Sequence, residues 1–393
     1  MKLKALLSIA VLALFVSTSA QAGINYELED FTKPKLGGGV SYVQVEDDSF
    51  TKVSLSPEFN AGNFGIGFDV NLYLPSDRAS DYDLQWLTLR HVSYQNKQHG
   101  FKWGRLRNLT LGYGLLMDNY DSGTAGTSEF TTEKAGIHAY TTVSKVKAEG
   151  VWTGSNTQGA RVTYKVLETS PLFGSPLIVG ATVVNDPDGV DTEVTGQSVY
   201  RASQLGYSAD VALPVAGDFL TIYSEYAELE DYGKGASTGF KGGFLDIFEY
   251  RAEYRVIGTG FVPGYFGRLY ESTSYDLEES LSNEQIDGFL VAAGATFLQG
   301  YVKAGAMYEK YDEYDIATAS LGWQKFGNVA GVINYTHPLQ GGSNATAQAD
   351  LLYDVGKPWK YLIKIKRNYY DDGKYTESYS VEVQGSLDNI FGL

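Results

Sequence analysis

From Phe64 to Leu74 an apolar side chain occupies every second position: Phe64, Ile66, Phe68, Val70, Leu72 and Leu74 alternate with Gly65, Gly67, Asp69, Asn71 and Tyr73. Successive side chains of a strand point to opposite faces, so this run has one greasy wall and one small, polar wall. A helix would scatter the same residues around its circumference. The segment is therefore a strand with oil on one side and water on the other.

The N-terminus says where such a strand would work. Lys2 and Lys4 precede an apolar stretch from Ala5 to Val16, and Ala20-Gln21-Ala22 has the small-x-small pattern of a signal-peptidase site. Residues 1–22 thus read as a cleaved signal peptide, and residues 23–393 as one mature domain without a composition break. The apolar stretch is too short for a spanning helix, which needs about 20 residues.

The chain has no cysteine, so neither disulfides nor thiol chemistry is available to it. Loss of Lys2 and Lys4 with the signal leaves 29 basic against 47 acidic residues, a net charge of −18. That acidity argues against nucleic acid as a partner. The 30 tyrosines and 45 glycines fit a barrel, which sets aromatic rings at both membrane interfaces and small residues along crowded strands.

Helical periodicity is almost absent, and alternating segments recur along the chain. They include 100–117, a hairpin at 135–155, and 241–258. The connections alternate in length. Backwards from the C-terminus come a tight Asp371-Asp372-Gly373, a short Gly356-Lys357-Pro358, a longer His337 to Asn344, a short Phe326-Gly327-Asn328, an acidic Glu309 to Tyr314, a short Gln299-Gly300 and a long Gly258 to Gln285. This is the rhythm of a membrane barrel, with turns at one end and loops at the other. It slips near residues 230–245, which points to a missed or misjoined strand around Gly239 to Phe244.

Two further segments carry the membrane argument. Between Trp359 and Tyr369 the odd positions hold Trp359, Tyr361, Ile363, Ile365, Arg367 and Tyr369, against Lys360, Lys364, Lys366 and Asn368. Ten residues at a tilt of about 40° rise roughly 25 Å, the height of the apolar band. From Phe248 to Val256, Phe248, Tyr250, Ala252, Tyr254 and Val256 oppose Glu249, Arg251, Glu253 and Arg255. Four alternating charges are too costly for a dry core, so this wall is expected to meet water. The run from Phe289 to Leu298 has no charge on either face and does not discriminate.

Enzyme chemistry finds little support. The four histidines, His91, His99, His138 and His337, lack metal-ligand spacing. A catalytic pairing would need His91 beside Asp81 or Asp83, or His138 beside Glu129 or Glu133. Asp186-Pro187-Asp188-Gly189-Val190-Asp191 with Glu193 has part of a calcium-loop pattern, but its glycine arrives two residues early. Asp-Gly is first of all a turn signal. No cofactor motif is present.

Signal, alternating strands, aromatic strand ends and absence of cysteine together make the mature chain resemble the porin-like outer-membrane β-barrels of Gram-negative bacteria. The resemblance implies an all-β, transmembrane antiparallel barrel of about 16–18 strands. It implies an outer-membrane pore for passive diffusion of small hydrophilic solutes or ions, set in outer-membrane lipid by the insertion machinery, with homo-oligomers common in the class. Such barrels usually finish on an aromatic residue, and here either Phe391 takes that role or the last strand ends near Gln384. The lumen candidates are Glu249, Arg251, Glu253, Arg255, Lys360, Lys364 and Lys366. The Gly258 to Gln285 connection, with Glu271, Asp276, Glu278 and Glu279, is the candidate for a loop folded into the channel. Two alternatives are a barrel with a closed lumen that binds or supports at the surface, and a soluble exported β-sandwich.

Overall fold

The structure is a computed structural model. It describes residues 36–45, 48–74, 87–122, 135–169, 174–194, 197–201, 203–245, 247–267, 270, 284–311, 314–338, 345–356, 359–369 and 375–386. The signal peptide and Phe391 lie outside these residues.

The first strands are β1 (Leu36–Val45), β2 (Asp48–Ala61), β3 (Phe64–Leu74), β4 (Leu87–Gln95) and β5 (His99–Gly104). A small hairpin, β6 (Leu109–Leu111) and β7 (Met117–Tyr120), separates them from β8 (Gly136–Val143), β9 (Val146–Thr153), β10 (Gln158–Leu167) and β11 (Leu177–Asp186). A second hairpin, β12 (Val190–Val194) and β13 (Gln197–Arg201), precedes β14 (Gln204–Asp218), β15 (Thr221–Leu229), β16 (Gly233–Phe244) and β17 (Phe248–Ile257). The last group is β18 (Ile286–Phe297), β19 (Val302–Tyr311), β20 (Tyr314–Phe326), β21 (Val329–Pro338), β22 (Thr346–Gly356), β23 (Trp359–Tyr369) and β24 (Tyr375–Ser386).

Without the two small hairpins these strands form one 20-stranded antiparallel sheet, each pairing with its neighbour in sequence. β1 also pairs with β24, from Gly37↔Ser386 to Tyr42↔Val381, so the sheet closes on itself. Closure overturns the sandwich alternative, which needs two sheets face to face.

Among the described residues the barrel has twenty strands, more than the expected 16–18. The difference has a local cause. β16 reads GKGASTGFKGGF, with small residues on both faces, so it carries no hydrophobic alternation. The segment 241–258 joins its end to β17. With β16 in place the connections keep phase: 75–86, 105–135, 187–203 and 258–285 fall at one end, the loop end, and 62–63, 144–145, 219–220 and 327–328 at the other, the turn end. The 168–176 connection, at the turn end, is longer than this rule predicts.

The two faces of the wall separate as the alternation requires. On β3, Phe64 and Leu72 are 62% and 55% exposed, whereas Gly65, Gly67 and Tyr73 are buried on the lumen side. Exposed outward residues on other strands include Leu55, Trp152, Val162, Val183, Val211, Ile222, Phe240, Phe289, Val291, Ile333 and Tyr361. So large an apolar surface is a liability in water and a match to hydrocarbon.

Aromatic rings edge this surface at both ends. At the turn end Phe244 stacks on Phe248 at 4.7 Å, and Phe248 meets Phe297 edge-on at 6.3 Å. At the loop end the phenols of Tyr226, Tyr254 and Tyr308 donate to Glu228, Asp287 and Asp315 at 2.8, 2.8 and 2.9 Å. Each ring keeps its body against the apolar band and its hydroxyl at the polar boundary.

Candidate functional site

The lumen is narrowed by a hairpin that departs from the wall at Gly104. This glycine has φ 136°, and a Cβ here would stand 2.1 Å from the Arg90 carbonyl oxygen. The wall strand therefore stops, and the expected strand 100–117 is corrected to β5 followed by an inserted segment. Residues 105–122 fold back on themselves through β6 and β7. Their base is tied by Ser122 N donating to Leu106 O at 2.9 Å and by Leu106 N donating to Ser122 Oγ at 2.9 Å. Arg105 grips Asp121 with two bonds, Nε to Oδ1 at 2.9 Å and Nη2 to Oδ2 at 2.8 Å.

One face of the hairpin is apolar. Leu106, Leu111, Leu115, Leu116, Met117 and Tyr120 are all at most 2% exposed. They fit because the facing wall positions are glycines. A Cβ at Gly136 would come within 2.7 Å of Leu106, at Gly159 within 2.9 Å of Leu111, and at Gly206 within 2.6 Å of Leu116. The high glycine content thus serves sockets in the wall as well as crowded strands.

At the hairpin tip Gly112 and Gly114 adopt φ 79° and 88°, which turns the Tyr113 and Leu115 amides to one side. Both donate to Glu225 Oε2 on β15, at 3.2 and 2.9 Å, while the Ser208 hydroxyl donates to Oε1 at 2.9 Å. The Tyr113 ring stacks on Tyr223 at 4.0 Å, with Lys241 Nζ 4.7 Å from its centroid. Burial pushes the Tyr113 phenol up from its ordinary value, with the Asp210 charge adding to the shift.

A second inserted stretch packs behind the first. Gly264 N donates to Leu115 O at 2.8 Å, and Asp118 N to Phe266 O at 3.3 Å. Phe261, Tyr265, Phe266 and Tyr270 join the hairpin leucines and wall residues such as Val184 and Leu229 in one buried cluster. The Tyr270 hydroxyl donates to Asp186 Oδ2 at 2.7 Å. Of the connection expected to fold inward, the described residues are 258–267, Tyr270 and 284–285, and Phe261, Tyr265, Phe266 and Tyr270 pack against the hairpin. The acids of that connection, Glu271, Asp276, Glu278 and Glu279, lie outside the described residues.

The wall around the hairpin carries a connected set of charges. Arg161 holds Asp210 through Nη1 to Oδ2 at 2.6 Å and Nη2 to Oδ1 at 3.0 Å, and donates to Thr182 at 2.9 Å. Glu253 stands between Arg251 at 2.5 Å and Arg255 at 2.7 Å, and accepts from the Tyr223 hydroxyl. Arg255 continues to Glu309 at 3.1 Å and Tyr311 at 2.8 Å; Arg251 reaches Asp118 of the hairpin at 3.1 Å and the Tyr113 carbonyl.

Of the sequence candidates, Arg251, Glu253 and Arg255 come together here. They do not meet open water as expected: Glu253 and Arg255 are 4% and 2% exposed, covered by the inserted segments and neutralised by one another. Glu249 lies on the same face nearer the turn end, half-buried. Lys360 and Lys364 sit on the lumen face of β23, across from Asp354 and Asp350 in register and apart from this cluster. Lys366 shares that face by register, and its side chain lies outside the described residues.

Sequence reasoning missed Asp118, Arg161, Asp210 and Glu225. Each stands between uncharged neighbours, and its one signal was position on the polar phase of an alternating strand.

The other sites resolve as local structure. Asp186 Oδ1 accepts from Gly189 N at 3.1 Å within the turn, and Asp188 accepts from Asn156 of the neighbouring β9–β10 connection at 2.7 Å. Among the described residues no group of three or more metal-ligating side chains converges. His138 meets Glu149 at 3.3 Å on the lumen wall, and His99 meets Thr141 at 2.8 Å. Asp81, Asp83, Glu129 and Glu133 lie outside the described residues.

No family model matches this chain, and neither does any curated protein. Solved structures similar to it include the outer membrane protein opdK from Pseudomonas aeruginosa, at 12% identity over 89% of this chain and 97% of that one, TM-score 0.39. Pseudomonas aeruginosa OccK2 (OpdF) in complex with glucuronate gives 11% identity over 89% and 94%, TM-score 0.41. Acinetobacter baumannii OccAB3 gives 11% over 89% and 96%, TM-score 0.37. Similarity this loose leaves the site to stand on its own geometry.

Proposed function

We propose that this protein is an outer-membrane channel through which small hydrophilic solutes or ions pass by diffusion, without a chemical step. The observation that carries the reading is the closed twenty-stranded ring with an apolar outside and a charged inside. A barrel of this strand number is wide enough for an aqueous lumen. The inserted segments rest against the β8–β19 side, so passage belongs to the side lined by β20–β24 and β1–β5. Polar hairpin residues Arg105, Thr110 and Asn119 are only half-buried, which suits a face turned toward that passage.

A second reading, a surface binding or structural barrel with a closed lumen, is favoured by the size of the buried cluster around the hairpin. Liposomes carrying the purified protein separate the two. Swelling in small sugars and discrete conductance steps in planar bilayers are expected for the channel. Tight liposomes and silent bilayers would support the closed barrel.

A further inference from the structure

The charged groups around the hairpin tip are paired, with one exception. Arg161 is held by Asp210, Arg251 by Glu253 and Asp118, and Arg255 by Glu253 and Glu309. Glu225 is occupied by the Tyr113 and Leu115 amides and the Ser208 hydroxyl. Of this group Lys241 alone has neither a hydrogen bond nor an ion pair among the described residues. Its ammonium stands 4.7 Å from the centre of the Tyr113 ring, whose face offers a cation partial negative charge but no full counter-charge.

The fold keeps this ammonium within reach of the lumen. Lys241 is on the inward phase of β16, half-buried and level with Thr221 on β15 and Arg251 on β17. One step nearer the turn end, the same face carries Gly243, Glu249, Gly294 and Gly305 in a row across β16–β19. The three glycines bring no side chain to cover Lys241 from that side. Glu249 makes no ion pair with Lys241, and the charge that acts on it is Lys303 of β19. Arg161 and Arg251 add to the positive potential at Lys241, while the acids that act on it, Asp118 and Glu253, are already held by Arg251.

We propose that Lys241 is an anion subsite of the channel, taking a small monovalent anion such as chloride as the counter-charge that the fold withholds, and that it sets an anion preference at the hairpin tip. An unpaired charge away from bulk water is costly, and a confined lumen with low-dielectric walls concentrates the mobile ion that relieves it. Lysine and arginine side chains give pores their anion preference in this way. The preference is local, because the mature chain as a whole is acidic and its overall field favours cations. The subsite rests on the reading of this protein as a channel and adds a solute class to it.

Reversal potentials in planar bilayers under a potassium chloride gradient test this. The parent protein should pass chloride several-fold more readily than potassium. Lys241→Met, which keeps an unbranched side chain beside Tyr113, should abolish the preference, and Lys241→Gln gives the same reading should the first variant not fold. Lys241→Glu should reverse it and Lys241→Arg should retain it. Potassium preference in the parent, chloride preference that survives Lys241→Met, or preference lost only together with the larger, noisier conductance of a freed hairpin would each overturn the proposal. Silent bilayers would overturn the channel reading and the subsite with it, whereas open channels of unaltered selectivity would overturn the subsite alone.

Discussion

The Leu115 amide donates to Glu225 Oε2 at 2.9 Å, joining residues 110 positions apart and pinning the tip of the inserted hairpin to β15. The same carboxylate takes the Tyr113 amide and the Ser208 hydroxyl, so it closes three donors that would otherwise be orphaned. Glu225→Ala leaves these donors unpaired, at about 1–3 kcal/mol for each buried one. The hairpin tip should detach while the barrel persists. Planar-bilayer recordings are expected to show a larger and noisier conductance, with unchanged heat-modifiable migration on gels.

The glycine sockets make a second expectation. Gly206→Val places two methyl groups where Leu116 already sits, and overfilling of this kind costs about 1–3 kcal/mol. The cost falls on hairpin docking, since β14 keeps its pairing on both sides. Liposome swelling should admit larger sugars than the parent protein does. An unchanged size cut-off would mean that the hairpin does not set it.

Glu253 neutralises two guanidiniums in a site with almost no solvent. Glu253→Gln leaves Arg251 and Arg255 facing each other without it, and breaking a buried pair in this way costs about 3–5 kcal/mol. A lower unfolding temperature by circular dichroism is expected. The triple change that also converts Arg251 and Arg255 to Met should recover most of the loss.

On the outer wall, Val291 lies near the middle of β18 and is 47% exposed. Val291→Arg should destabilise the reconstituted barrel by about 2–4 kcal/mol, the range for arginine at the bilayer midplane. The same substitution at the lumen position Thr296 should be far milder. Denaturant titration in lipid vesicles compares them.

Alkaline titration tests the hairpin from another direction. Burial keeps the Tyr113 phenol neutral, so docking is fully supported below the ordinary tyrosine value of about 10 and is lost as pH rises beyond it. Conductance should therefore increase on the alkaline side, and Tyr113→Phe should remove that component of the rise.

Much of this was legible in the sequence because the membrane imposes a simple rule on each strand. Phe64–Leu74, Phe248–Val256 and, among the described side chains of β23, Tyr361 fell with their apolar phase outward, and the alternation of turns and loops followed. β16 escaped because its glycines, serine and threonine suit a wall that faces a shallow hollow outside and a bulky hairpin inside. The hairpin escaped for a related reason: Leu109 and Leu111 alternate like a wall strand, yet Leu106 and Leu111 point at glycines of other strands. The charges were visible in β17, but not their partners. Asp118, Glu253 and Glu309 meet only after the chain has folded into the lumen.

Leaving aside the two small hairpins, every neighbouring pair in the ring is consecutive along the chain except one, the join between β1 and β24. That join has six matched residues, where β1 and β2 share ten. The wall can thus be assembled as successive local ribbons, with a single long-distance seam left to zip last.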